Sequence, residues 1–204
     1  MSEYIEVCAY SLQDEKISII KSYLDKGGVV AYPTDTGYAL GCKIGLNKPL
    51  EKIKRIRDLD DKHHFTLVCE NLNEISKYAH VNNRIYRTLK RCTPGAYTFI
   101  LDATKKVASL MSQKTKKTIG IRISEHPVSI VLNKIMGEPI ISTTLILPGS
   151  DNVLYDAEDV CSVLSNEVDC IIDCGYSGVG PTTVIDLSDG QSEIIREGVA
   201  PNIF

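Results

Sequence analysis

Neither of the two glycine-rich phosphate fingerprints, GxxxxGK[ST] and GxGxxG, occurs in this 204-residue chain, which excludes a P-loop and a dinucleotide-binding turn. No apolar run is long enough to cross a bilayer and no basic-then-apolar leader opens the chain, so a cytoplasmic protein with no membrane partner is expected. The seven cysteines form no CxxC pair. An odd, scattered set reads as reduced thiols rather than as a disulfide frame or a zinc site. Cys170 and Cys174 are spaced to share a metal, but no histidine stands near them. The four histidines are too few and too scattered for a metal triad, and Gly149-Ser150-Asp151 is not a nucleophile elbow. Tryptophan is absent as well, which excludes nothing.

Positive charge is missing from a long stretch: Gly137 to Ile195 contains no Lys or Arg. The formal net charge of −3 therefore hides an asymmetry, +8 for Met1–Lys134 and −11 for the remainder. Basic residues cluster at Lys52–Arg57, Arg84–Arg91, Lys105–Lys106 and Lys114–Lys117. A positive front half suits an anionic partner such as a nucleotide or an RNA, while solvated helix faces account for runs of the same kind. Hydrophobic content of 43% and charged content of 24% are those of a globular chain, and the length favours one domain spanning residues 1–204.

Strands and helices alternate irregularly. Ser11 and Asp14 before Ile17, Ile20 and Leu24, with Gly27-Gly28 behind, predict a capped amphipathic helix. Asn47 is placed to cap a helix running to about Arg57, and His126-Pro127 opens a helix that Gly137 closes. A short helix is expected near Val107–Ser112, and Asp156 caps one to about Ser165. Strands are expected at Val29–Tyr32, Tyr38–Ile44, Phe65–Cys69, Tyr97–Leu101, Thr118–Ile123, Pro139–Thr143, Val168–Asp173, Thr183–Leu187 and Glu193–Arg196. That order implies a mixed sheet with helices on its faces rather than a doubly wound one.

The stretch Gly27–Gly41, GGVVAYPTDTGYALG, is the most informative. Pro33 cannot donate to a ladder, so strand pairing is expected to stop or shift to an edge there, leaving Thr34, Asp35 and Thr36 at a strand mouth beside small residues. Such polar groups form a ligand-contacting site or simply cap a turn. Arginines add to the pattern: Arg57 at a helix end, Arg122 in TIGIR and Arg196 in EIIREG. Arginine within an apolar strand is costly unless it meets an anion, a carboxylate or water, so these raise the case for a phosphate or carboxylate pocket. GYSGVG at Gly175–Gly180 reads as a tight turn, and the adjacent His63 and His64 as surface residues or ligands.

Taken in order, these segments resemble the YrdC-like family, the threonylcarbamoyl-AMP synthases of tRNA modification. PTDTGYALG (Pro33–Gly41) is similar to the family's PTET-x-YGLG, and PGAYTFIL (Pro94–Leu101) to its PGP-x-T segment. GIRIS (Gly120–Ser124) is similar to GIR-x-P, TTVID (Thr182–Asp186) to STV-x-D, and IREG (Ile195–Gly198) to the closing R-x-G. The resemblance implies an α+β fold, a single three-layer domain with a twisted mixed parallel and antiparallel sheet flanked by helices, and a positively charged concave face.

It also implies a reaction in which L-threonine, bicarbonate and ATP give threonylcarbamoyl-AMP and pyrophosphate, with Mg²⁺ carried in by the nucleotide and no protein-bound metal. On this resemblance Thr36, Arg122 and Thr182 hold the threonine moiety, and Arg55, Arg57, His64, Thr118, Thr144 and Arg196 contact the nucleotide. Three departures mark a YciO-like branch. The family's K-x-R is Arg55-Ile56-Arg57 here, its S-x-N is Thr144-Leu145-Ile146, and DLDDKHH replaces a proline-rich turn at Asp58–His64, with Cys69 where a histidine often stands. Two function classes follow: an enzyme of ATP and threonylcarbamoyl-adenylate chemistry, or a non-catalytic module binding tRNA or double-stranded RNA through its basic face.

Overall fold

The computed structural model describes residues 1–60, 63–110 and 117–203. Ten strands form one sheet: β1 (Glu3–Glu6), β2 (Val30–Thr34), β3 (Gly37–Lys43), β4 (Thr66–Val68), β5 (Tyr97–Asp102), β6 (Thr118–Arg122), β7 (Ile140–Thr144), β8 (Cys170–Asp173), β9 (Thr183–Asp186) and β10 (Glu193–Arg196). Their spatial order is β1-β8-β2-β3-β7-β4-β6-β5-β9-β10. β1–β8, β2–β8, β4–β6 and β5–β9 are parallel and the other pairs antiparallel, so the mixed sheet is as expected. Glu3–Glu6 gave no strand signal, because four residues with one buried side chain carry no usable alternation.

The helices divide unequally between the two faces. Helices α2 (Asn47–Arg57), α3 (Leu72–Ile75), α4 (Asn83–Cys92), α5 (Lys105–Leu110) and α7 (Ala157–Leu164) bury their apolar stripes in the larger core with Leu40, Leu67, Phe99, Ile121 and Ile141. On the other face, among the described residues, only α1 (Asp14–Asp25) and α6 (Pro127–Met136) pack, over Val30, Tyr32, Ala39 and Ile140. Pleat alternation then leaves Ser142, Thr144, Thr66, Gly120, Arg122 and Thr98 on the uncovered half of that face.

Local sequence explains most of the element ends. Asn71 and Asn82 accept from Glu74 N–H and Ile85 N–H, Asp156 accepts from Glu158 N–H, and His126 Nδ1 accepts from Val128 N–H at 3.2 Å. Two expected caps differ. Ser11 lies before α1, where Gln13 holds the cap position without a side-chain bond, and Asn47 is already inside α2, behind Leu46. Ser112 of the expected Val107–Ser112 helix lies outside the described residues, and the helix observed there is Lys105–Leu110. Pro33 does not end β2: it pairs with Tyr38, and Thr34 with Gly37. β2 meets β8 only at Val30 and Ala31, so Pro33 sits beyond that pairing, where its missing N–H costs no ladder bond.

Candidate functional site

Thr34 and Gly37 close a β2–β3 hairpin whose loop is Asp35-Thr36. The turn is fixed from within and from outside. Thr34 Oγ1 donates to Gly37 O at 2.6 Å and accepts from Thr36 N–H at 3.2 Å, and Ser177 Oγ donates to Thr34 O at 2.9 Å. Gly178 presses so closely on this turn that an added Cβ would lie 1.9 Å from Gly37 N.

Arg122, at the end of β6, reaches this turn. In a flat sheet at about 4.8 Å per strand, β6 stands ~14 Å from β3. Yet Arg122 Nη1 donates to Thr36 Oγ1 at 2.7 Å, so the sheet's twist must fold its open face inward. Arg122 Nη2 lies 2.7 Å from Asp35 Oδ2, and both side chains are 8% exposed. The contact is ionic rather than directional: Arg122 Nε, Arg122 Nη2 and Asp35 Oδ2 have no aligned hydrogen-bond partner. Asp35 Oδ1 accepts from Ser124 Oγ. Around them a small hollow of about 30 Å³ is lined with Thr34, Thr66, Thr98, Ser142, Thr144 and Thr182. A buried guanidinium edge with hydroxyls around it is suited to a carboxylate or phosphate.

A second, larger cavity of about 650 Å³ adjoins this hollow through Arg196 and Thr182. Arg196 Nη2 donates to Thr182 O and Thr182 Oγ1, both at 2.9 Å, and Thr98 Oγ1 donates to Thr182 Oγ1 at 3.0 Å. Gly198 permits this crossing, since a Cβ there would stand 2.3 Å from Pro181 O. Arg57, at the C-terminus of α2, lines the same cavity with an unpartnered Nε. Burial makes the charged form of Arg57 less favourable, and at Arg196 burial and then the charge of Arg122 act in the same direction. The same lining carries Asp58 and Asp151, so the cavity sets two guanidiniums among two carboxylates.

The fold brings Thr36, Arg122, Thr182, Thr144, Arg57 and Arg196 to these adjoining spaces. It does not bring Arg55, which is exposed and lies 3.9 Å from Glu167: on a helix, residues 55 and 57 point about 200° apart. His64 is exposed and, like its neighbour His63, is not among the residues lining either space; His63 Nε2 lies 3.2 Å from the Oγ1 of Thr143, a lining residue of the hollow, with its ring edge-on to Phe65. Thr118 shares the open face but pairs with Asp102, about 13 Å back along β6 from Arg122. Arg84, Arg87, Lys90 and Arg91 are exposed on α4, which packs on the opposite face.

Residues not singled out from sequence are Ser124, Ser142 and Tyr155, together with the loop Leu147–Asn152 that walls the larger cavity; Asp35 and His63 were noted without a role in the site. PTDT did signal Asp35's neighbourhood, but a carboxylate inside an anion site made no sense until Arg122 was seen against it. Among the described residues no cluster of three or more His, Cys, Asp or Glu is placed to hold a metal.

An open mixed sheet covered on one face and half-covered on the other, with a hydroxyl- and guanidinium-lined hollow in its bare half, defines a single α/β domain of mixed-sheet type. Residues 22–198 match the Sua5/YciO/YrdC family model, described as "Telomere recombination", and the chain belongs to this YrdC-like family, in its YciO branch. It is 46% identical over 199 residues to the uncharacterized protein YciO of Escherichia coli K12, covering 98% of this chain and 97% of that protein. The crystal structure of E. coli YciO superposes with a TM-score of 0.93 over 98% of both chains. A Methanocaldococcus jannaschii protein provisionally named a threonylcarbamoyl-AMP synthase is 29% identical, covering 94% of this chain and 92% of its own length. The fold is also that of Pyrococcus abyssi Sua5 complexed with L-threonine, at a TM-score of 0.87 and 21% identity over 98% of this chain and 58% of that one. Among the described residues no helix is long and apolar enough to cross a membrane.

Proposed function

We propose that the protein is a cytoplasmic nucleotidyltransferase that joins L-threonine, bicarbonate and the AMP moiety of ATP into threonylcarbamoyl-adenylate, the activated group used to modify tRNA. The observation that carries this reading is Arg122: a buried residue anchored through Nη1 on Thr36, with Nη2 2.7 Å from Asp35 Oδ2 and Nε lacking an aligned partner. A carboxylate in the hydroxyl-lined hollow would use that edge, as the threonine moiety requires. The name of the M. jannaschii relative and the threonine in P. abyssi Sua5 support the substrate class.

The adjoining cavity suits the triphosphate. Threonine's amine takes up bicarbonate, with loss of water, to form a carbamate. A carbamate oxygen then bonds to the α-phosphorus in line as the bond to the β-phosphate oxygen breaks and pyrophosphate leaves. Positioning dominates such a reaction, and Arg57 and Arg196 offset charge spreading over the phosphate oxygens. Thr182, bonded to Arg196 and facing the hollow, links the two halves of the substrate. Mg²⁺ arrives on ATP. The test is pyrophosphate release from purified protein, which should require both threonine and bicarbonate; release without either, or none at all, sinks the proposal.

A second reading, a module that binds double-stranded RNA, is favoured by one observation: Arg84, Arg87, Lys90 and Arg91 form an exposed basic strip on α4, away from the hollow. It predicts duplex-RNA affinity falling steeply with salt. Binding that is undetectable or indifferent to salt counts against it.

A further inference from the structure

The glycine-rich segment Gly175–Gly180 takes no part in the chemistry above, yet it is pinned at several points. Ser177, 4% exposed, donates its N–H to Tyr155 O at 2.8 Å and its hydroxyl to Thr34 O at 2.9 Å. Tyr38 OH donates to Gly175 O at 2.9 Å, and Gly178 lies against Gly37. Between these anchors Tyr176 is 70% exposed. Its ring stacks on that of Tyr155, with centroids 5.8 Å apart and planes 27° from parallel. Neither ring belongs to either hydrophobic core. Tyr155 is half-buried and Tyr176 is exposed, so the outer ring of the pair adds little to stability by burying apolar surface.

Its position suggests a different use. Tyr155 lines the 650 Å³ cavity together with Arg57, Arg196, Ile146 and Pro148. The cavity thus places two guanidiniums, with Asp58 and Asp151 also in its lining, beside an aromatic and aliphatic surface, and guanidiniums and an apolar face are the two needs of a nucleotide. Ile146 stands where the resemblance places an amide, so a hydrogen bond is replaced there by apolar contact. An aromatic face binds any base by stacking and gains with ring area. Resting on the nucleotide reading above, we infer that Tyr155, braced by Tyr176, is the stacking surface for the nucleobase, and that it favours purines over pyrimidines.

Calorimetry with ATP, UTP and inorganic tripolyphosphate on the full chain tests this. In the wild type ATP binds more tightly than UTP. Tyr155→Ala weakens ATP by about 5- to 100-fold and erases the purine preference, while tripolyphosphate stays within about twofold. Tyr155→Phe keeps wild-type affinity, and Tyr176→Ala loses less than Tyr155→Ala, for ATP only. Unchanged ATP affinity in Tyr155→Ala, or an equal loss for tripolyphosphate that marks a merely structural role, overturns the inference while leaving the nucleotide reading intact. A wild type that binds neither ATP nor tripolyphosphate overturns both.

Discussion

Removing the Asp35 carboxylate should expose how much the fold depends on the ion pair in its hollow. Asp35 and Arg122 are each 8% exposed, with Oδ2 and Nη2 2.7 Å apart. At an effective dielectric near 20 that separation corresponds to about 6 kcal/mol of attraction, set against several kcal/mol of desolvation for each ion. The intact pair is thus close to neutral for stability, whereas either ion left alone is not. Asp35→Ala leaves the Arg122 charge buried with only Thr36 Oγ1 at hydrogen-bond distance, and should cost about 3–5 kcal/mol. For a chain of this size that is a fall in Tm of about 6–20 °C. Asp35→Ala combined with Arg122→Met removes both charges and should recover most of the loss, while threonine binding stays abolished. Thermal unfolding followed by circular dichroism reads the stability, and calorimetry the ligand. A single variant within about 2 °C of the wild type, or a double variant less stable than the single, refutes the claim that this contact is a dry, mutually dependent pair.

Three other outcomes follow from the same structure. Arg57→Ala and Arg196→Ala should each weaken ATP binding about tenfold or more, the equivalent of one lost charged hydrogen bond, whereas Arg55→Ala should leave it unchanged; titration calorimetry on folded variants decides. His126 caps α6 in its neutral form, and burial holds its pKa below the ordinary 6.5, with Asp35 opposing the shift. The folded state therefore binds this proton less readily than the unfolded chain, so stability is full above pH 6.5 and declines as the pH falls toward the lowered value. His126→Asn keeps a capping acceptor and should flatten that decline in urea midpoints measured across pH. Gly178→Ala must place a Cβ 1.9 Å from Gly37 N at a φ of +91°, and should cost about 2–5 kcal/mol. Gly190→Ala, at φ +73° with nothing within 4 Å, should cost only about 1–2 kcal/mol in the same denaturation series.

Elements were legible wherever a local signal ended them: Asp156 before α7, His126-Pro127 before α6, and glycine after it. β1 was not, because a short edge strand lacks the period-two pattern that a fully packed face imposes. Within the site, Thr36, Arg57, Arg122, Thr182 and Arg196 could be picked out as hydroxyls and guanidiniums in segments that otherwise read as apolar strand or helix end. Arg55 and Thr118 could not be told from them, since residue type says nothing about which way a helix turns a side chain or how far along a strand the pocket extends.

Residue order alone thus determined the mixed α/β architecture, the family, and the kind of side chain the site would use. Tertiary structure decided which charges meet. It set Asp35 against Arg122 across intervening strands, put His63 against Thr143, sent the basic strip of α4 to the far face, and stacked Tyr176 on Tyr155 beside the arginines. The physical reason is that sheet twist and helix rotation fix long-range direction, and a linear pattern carries period but not the angle between elements that are distant along the chain.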